Sequence, residues 1–307
     1  MVIKMETFRK IDLHVHSQTA GGPQRLRGGT WPTPEEVRAV YDEIGIERGV
    51  EMPREAPERS HDPITTRFAR QIAEEYPDVF AGWFCFLDPR MGTNSPKDDL
   101  TYYLDFYRDQ GARGVGELQA NIYIDDPRMM NLLAACEKRE MPVTVHFGKL
   151  GEGCGVADDQ GLPRTERVLK AFPKLLLLGH AQVFWSEISG DVTEETRNGF
   201  PSGPVVGEGR TVALMRRYPN LCADLSARSA YNALSRSPEF GARFLTEFRD
   251  RLFYATDISS PESITIAGKM AAFLDGLLAD GSISRETYET VCRKNAERLL
   301  KGDFRAV

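Results

Sequence analysis

Short apolar runs of strand length recur along the chain, separated by amphipathic segments of helical period. This alternation predicts a parallel sheet built from β-helix-β units. Eight runs read as strands: residues 9–14, 45–52, 79–87, 114–118, 142–147, 174–179, 220–225 and 251–255. Eight favours closure over an open sheet. The expected fold is therefore α/β: a single (β/α)8 TIM barrel over residues 1–307, with extended strand-to-helix loops and C-terminal helices.

The helical segments carry start and stop signals. Thr33-Pro34-Glu35-Glu36 combines a cap, a first-turn proline and a capping-box glutamate, and Ser95-Pro96 and Asp126-Pro127 repeat the cap-then-proline device. Gly111 is placed to end the second of these helices. Residues 261–278 and 284–300 read as two amphipathic helices, the last stopped by Gly302. Three connections are long: 17–31, 148–163 and 181–209. Each follows a strand, which puts it on the C-terminal face where barrels build their sites.

Composition narrows the function classes. With 41% hydrophobic and 27% charged residues the chain reads as an ordinary globular protein. A formal net charge of −6 disfavours a nucleic-acid surface, which needs a basic stripe, and favours a small-molecule substrate. The N-terminal MVIKMETFRK leads into a short strand without a stretch long enough for a signal peptide or membrane span, so the expectation is a cytoplasmic protein without a membrane partner. A homo-oligomer is compatible with this class. The five cysteines form no CxxC and read as reduced thiols, with Cys154 in a glycine-rich stretch as a candidate to face a site.

The chemistry lies in the histidines. Four of the five, His14, His16, His146 and His180, stand at the ends of strands one, five and six, and Asp257 ends strand eight in the same way. In Ile11-Asp12-Leu13-His14-Val15-His16 a period of two puts Asp12, His14 and His16 on one strand face. Any one of these histidines taken alone reads equally well as a strand-end hydrogen-bonding group. A barrel, however, brings all these ends around one mouth, and four imidazoles with a carboxylate suit a divalent metal: zinc first, with manganese or iron as alternatives.

The motifs IDLHVH, FLDP, VTVHFG, LLLLGHA, PNLCADLS, YATD and NAERLL, spread over nearly the whole chain, resemble the amidohydrolase superfamily, and in particular its amidohydrolase-2 branch. The resemblance implies that His14, His16 and Asp257 are metal ligands, that His146 is a further ligand, and that His180 is either a ligand of a second ion or a catalytic residue. It also implies that Asp257 accepts a proton from the attacking water. Strand four ends in Glu117 rather than the lysine of many two-metal members. Glu117 is a candidate bridge, as in the similar metal-dependent deoxyribonucleases, and the ion count stays at one or two.

The leading expectation is hydrolysis of an amide, lactone or ester in a small metabolite, with or without a carboxylate, by metal-activated water. Relatives in the branch are non-oxidative decarboxylases, which makes a lyase the first alternative. A phosphoester or DNA hydrolase is the second, and a non-catalytic, metal-stabilised binding protein with a closed site is the third. Candidates for binding the substrate are Arg228, His61 and Arg54, with Arg59 and Lys149 as further cations near the mouth. Asp12 is expected to hydrogen-bond behind the histidines, and Trp31 and Trp185, in long rim loops, read either as pocket walls or as ordinary loop packing.

Overall fold

The computed structural model describes residues 8–19, 22–24, 29–59 and 62–305. Its strands are β1 (Lys10–Val15), β2 (Ile46–Glu51), β3 (Phe80–Trp83), β4 (Val115–Leu118), β5 (Val143–Gly148), β6 (Val156–Ala157), β7 (Leu177–His180), β8 (Leu221–Asp224) and β9 (Leu252–Phe253). All pair in parallel, as β1-β2-β3 and as β4-β5-β7-β8-β9, with β6 attached to β5. Two seams join these runs. Cys85 pairs with Val115, and Gly116 N donates to Cys85 O at 2.9 Å; Val15 pairs with Ile258, and His16 N donates to Ile258 O at 3.0 Å. Both edges of the sheet are thereby paired, and the structure is a closed TIM barrel.

The eight barrel strands coincide with the eight apolar runs. β6 lies inside the long connection 148–163, where glycine permits backbone to pack on backbone: a Cβ on Gly148 would sit 2.6 Å from Cys154 O. The connection 181–209 likewise contains a short helix, Gln182–Ser186. Among the described residues no helix is long and apolar enough to cross a membrane.

Helix punctuation is as expected at Thr33, where the threonine hydroxyl and Glu36 form a capping box, and at Asp126, which accepts from Arg128 N at 2.9 Å. It differs at Ser95-Pro96. There Asp98 collects Thr93 N and Ser95 N, and Asp99 collects Thr101 N, so the chain turns and the helix starts only at Thr101. The expected helix 284–300 is interrupted by a π segment, Thr290–Lys294. Tyr254 N, next to β9, donates to Val291 O at 2.9 Å, and Asn295 Nδ2 donates to Leu252 O at 2.8 Å. Bonds to the barrel replace bonds within the helix.

The barrel interior is an apolar layer in which Ile11, Leu13, Val50, Met52, Phe84, Leu178, Cys222 and Phe253 pack together with the C-terminal Leu299 and Phe304. β1 departs here from a strict period of two. Between the pairs Asp12↔Gly49 and Val15↔Glu51, β1 spends one residue more than β2, which is a bulge. Below it Ile11 and Leu13 face inward while Asp12 faces the helix Pro34–Ile44, whose Tyr41 hydroxyl donates to it at 2.7 Å. Beyond it His14 and His16 face inward. The expectation that Asp12 shares their face is therefore corrected.

Candidate metal centre

Six side chains from five strand ends converge above the apolar layer. His14 and His16 come from β1, Glu117 from β4, His146 from β5, His180 from β7, and Asp257 from the segment after β9. His14 Nε2 and His16 Nε2 lie 3.0 Å apart. Asp257 Oδ1 is 3.3 Å from His16 Nε2 and 3.9 Å from His14 Nε2. Glu117 divides its oxygens: Oε2 is 3.4 Å from His16 Nε2, while Oε1 is 3.4 Å from His180 Nε2 and hydrogen-bonded to His146 Nδ1. The possible ligand atoms form three groups: His14/His16/Asp257, Glu117/His146/His180 and, sharing one histidine with each, His14/His180/Asp224. Asp257 takes a left-handed backbone, φ +53°, which aspartate tolerates better than most residues.

The rings are aimed from behind. Asp224, at the end of β8, accepts from His14 Nδ1 at 2.8 Å through one oxygen and from His180 Nδ1 at 2.9 Å through the other. Met52 O accepts from His16 Nδ1 at 2.7 Å. Each bond fixes the tautomer that leaves Nε2 free to bind a cation. Sequence reading missed the role of Asp224. The available signal was its position: it ends a strand in PNLCADLS, as His146 and His180 end theirs.

The cluster demands positive charge. Burial pushes the Glu117 carboxyl up, but the His146, His16 and His180 imidazoles outweigh it and hold it well below the ordinary range. Burial acts likewise on Asp257, and the nearby His16 and His14 imidazoles bring it to about 2. The same contacts raise His16 to about 9 against the pull of burial, through Asp257 and Glu117. His180 Nε2 and Asp257 Oδ1 are buried without a hydrogen-bond partner and face the common space. Imidazole and carboxylate donors, two of them orphaned, fit a divalent cation, which would displace the imidazole protons.

This gives a pH dependence with a fixed sign. A proton on His16 stabilises the cation-free fold fully below its ordinary value of 6.5, and that stabilisation is lost as pH rises towards about 9. Chelator-treated protein should therefore lose Tm over this window, and the Tm gained from saturating Mn²⁺ should grow as the competing proton leaves. Thermal unfolding across the window measures both. A cation-induced gain that shrinks with rising pH would contradict the assignment.

Other candidates are placed as follows. Arg54 lies beside the cluster, with Nε 3.9 Å from Glu117 Oε2 and its guanidinium over Trp31. Trp31 in turn packs against His16, ring centroids 6.0 Å apart. Arg228 is 55% exposed, stacks on Phe200 and lies 3.8 Å from Glu262, so it belongs to the outer rim. Lys149 pairs with Glu152 and Glu194. Trp185 is packed in the core against Phe184 and Phe244 rather than in the mouth. Cys154 is half-buried. His61 lies outside the described residues.

With this geometry established, comparison with known proteins decides the family. The amidohydrolase family model matches residues 11–302. The chain belongs to the amidohydrolase family. The structure is similar to an uncharacterised TIM-barrel protein from Bordetella bronchiseptica, at 18% identity and TM-score 0.63 over 97% of this chain and 100% of that one. It is also similar to 2,6-dihydroxybenzoate decarboxylase from Rhizobium, at 18% identity and TM-score 0.51 over 96% and 99%, and to D-hydantoinase, at 12% and 0.55 over 94% and 70%. At these identities the likeness establishes the barrel. No curated protein matches the chain.

Proposed function

We propose that this member of the family is a hydrolase that cleaves an amide, lactone or ester bond in a small, carboxylated metabolite. One or two divalent cations, zinc first, would be held by His14, His16 and Asp257 on one side and by His146 and His180 on the other, with Glu117 between. The observation that carries this reading is the placement of Glu117, whose two oxygens face the two imidazole groups separately. Such a divided carboxylate suits a paired-cation site of the hydrolytic kind. When bound, the cation acidifies water and polarises a carbonyl.

The chain's own residues do the rest. Asp257 accepts the proton of the attacking water on its carboxylate and returns it to the leaving group. The ring of His180 is locked by Asp224, and where its Nε2 holds no cation it stabilises the oxyanion that develops on the carbonyl oxygen. Arg54, with a buried Nε lacking a hydrogen-bond partner, anchors the substrate carboxylate beside the reacting bond. Trp31 packs near both Arg54 and His16 and helps keep water out. The five free cysteines fit a reducing cytoplasmic setting, which belongs to the same proposal.

The test is a screen of cation-loaded protein against lactones, esters and N-acyl amides, with and without a substrate carboxylate, alongside hydroxybenzoates and a phosphodiester. Acid release from a carboxylated substrate is expected, and Arg54→Met should raise KM by about tenfold or more with a smaller change in kcat. Carbon dioxide release without hydrolysis would replace the proposal with a lyase. Turnover of the phosphodiester alone would replace it with a phosphoesterase.

A further inference from the structure

One buried carboxylate takes no part in the chemistry above. Asp12 faces away from the cluster, yet each of its oxygens accepts two hydrogen bonds. Oδ1 accepts from His14 N at 2.9 Å and from Thr256 N at 2.9 Å; Oδ2 accepts from Thr256 Oγ1 at 2.5 Å and from Tyr41 Oη at 2.7 Å. Two of these donors are the backbone of His14 and of the residue before Asp257. Asp12 thus ties the β1 bulge to the segment after β9, across the seam where Asp257 N also donates to His14 O at 2.8 Å.

Tyr41 is the only one of these donors from outside the barrel wall, on the helix Pro34–Ile44. It reaches Asp12 because β2 carries glycine opposite Asp12: a Cβ at Gly49 would stand 2.1 Å from Tyr41 Oη. A glycine inside a strand marks such a close approach. Bulges beside sites re-aim side chains, and this one turns His14 inward.

We infer that Tyr41 is a positioning residue for the cation site, its hydroxyl holding Asp12 in the geometry that keeps the β1 bulge, and with it His14 and Asp257, aimed at the cluster. The inference rests on the reading of His14 and Asp257 as cation ligands. The physical route is short. Without the hydroxyl, Oδ2 loses one of two donors in a buried site, the carboxylate rotates to recover one, and the amides of His14 and Thr256 move with Oδ1.

The experiment measures Co²⁺ binding by visible absorption in the full-length wild type, Tyr41→Phe and Val37→Ala. Val37 is a fully buried residue of the same helix, so its truncation reports loss of helix packing alone. Tyr41→Phe should weaken Co²⁺ binding roughly tenfold and change the absorption spectrum, as loss of partners behind ligands does elsewhere, whereas Val37→Ala stays within about twofold of wild type. Binding by Tyr41→Phe within about twofold of wild type would overturn the inference, and so would an equal loss in Val37→Ala. Should Tyr41→Phe fail to fold, Thr256→Val removes the second donor to the same oxygen and is held to the same criteria. A wild type that binds no Co²⁺ overturns the cation site itself, a failure distinct from equal binding by wild type and variant.

Discussion

Asp257→Asn is expected to keep its cation while losing about 10²- to 10⁴-fold in kcat. The amide oxygen can still face the same ring nitrogens, 3.3 Å from His16 Nε2 and 3.9 Å from His14 Nε2 in the native side chain. What the amide lacks is a basic oxygen. The native carboxylate has a second oxygen, Oδ2, 3.9 Å from His180 Nε2, to take the proton. Cation content and kcat, measured on the same preparation, separate the two roles. Unchanged turnover would remove Asp257 as the base, and loss of the cation together with activity would reduce it to a ligand.

Asp224→Asn should weaken cation binding by about 10- to 100-fold although Asp224 is not itself placed as a ligand. Both of its oxygens accept from imidazole N–H groups, those of His14 and His180. Asparagine offers one acceptor and one donor. Its NH₂ must therefore meet one of the two Nδ1 atoms, and that ring has to shift its proton to Nε2, the atom that faces the cluster. A bound cation cannot share that nitrogen with a proton. Titration calorimetry with Zn²⁺ gives the affinity directly, and a change of less than about threefold would show that the two rings do not need the carboxylate.

Much of this was legible in the chain. Apolar runs of strand length gave eight strands because a parallel barrel buries both faces of each strand, so the runs stay apolar throughout. Five of the converging side chains were legible as His or Asp at strand ends, and Glu117 as an acid at a sixth position of the same kind. Asp224 was on the page but mute. An acid at a strand end reads as a ligand, a partner or a surface charge until β7, β8 and β1 are assembled and its two oxygens meet two imidazoles.

The bulge in β1 was hidden for a related reason. Period-two reasoning assumes an unbroken ladder, and the ladder is broken here by Asp12, whose donors come from Tyr41 and Thr256, distant in sequence. The π segment at Thr290–Lys294 has the same origin, a barrel amide that takes a helix carbonyl. Arg228 looked well placed from its distance to a strand end, but strand ends do not determine whether a long side chain turns inward. It turns to Phe200 and Glu262 on the rim.

The central claim is that His14, His16, Glu117, His146, His180 and Asp257 enclose a divalent cation. Anomalous diffraction from crystals of Zn²⁺-loaded protein tests it most directly. The account predicts a peak, or two, contacted by His14, His16 and Asp257 on one side and by His146 and His180 on the other, with Glu117 touching both where two are present. Zinc bound only elsewhere, with these six side chains still hydrogen-bonded to one another, would contradict it.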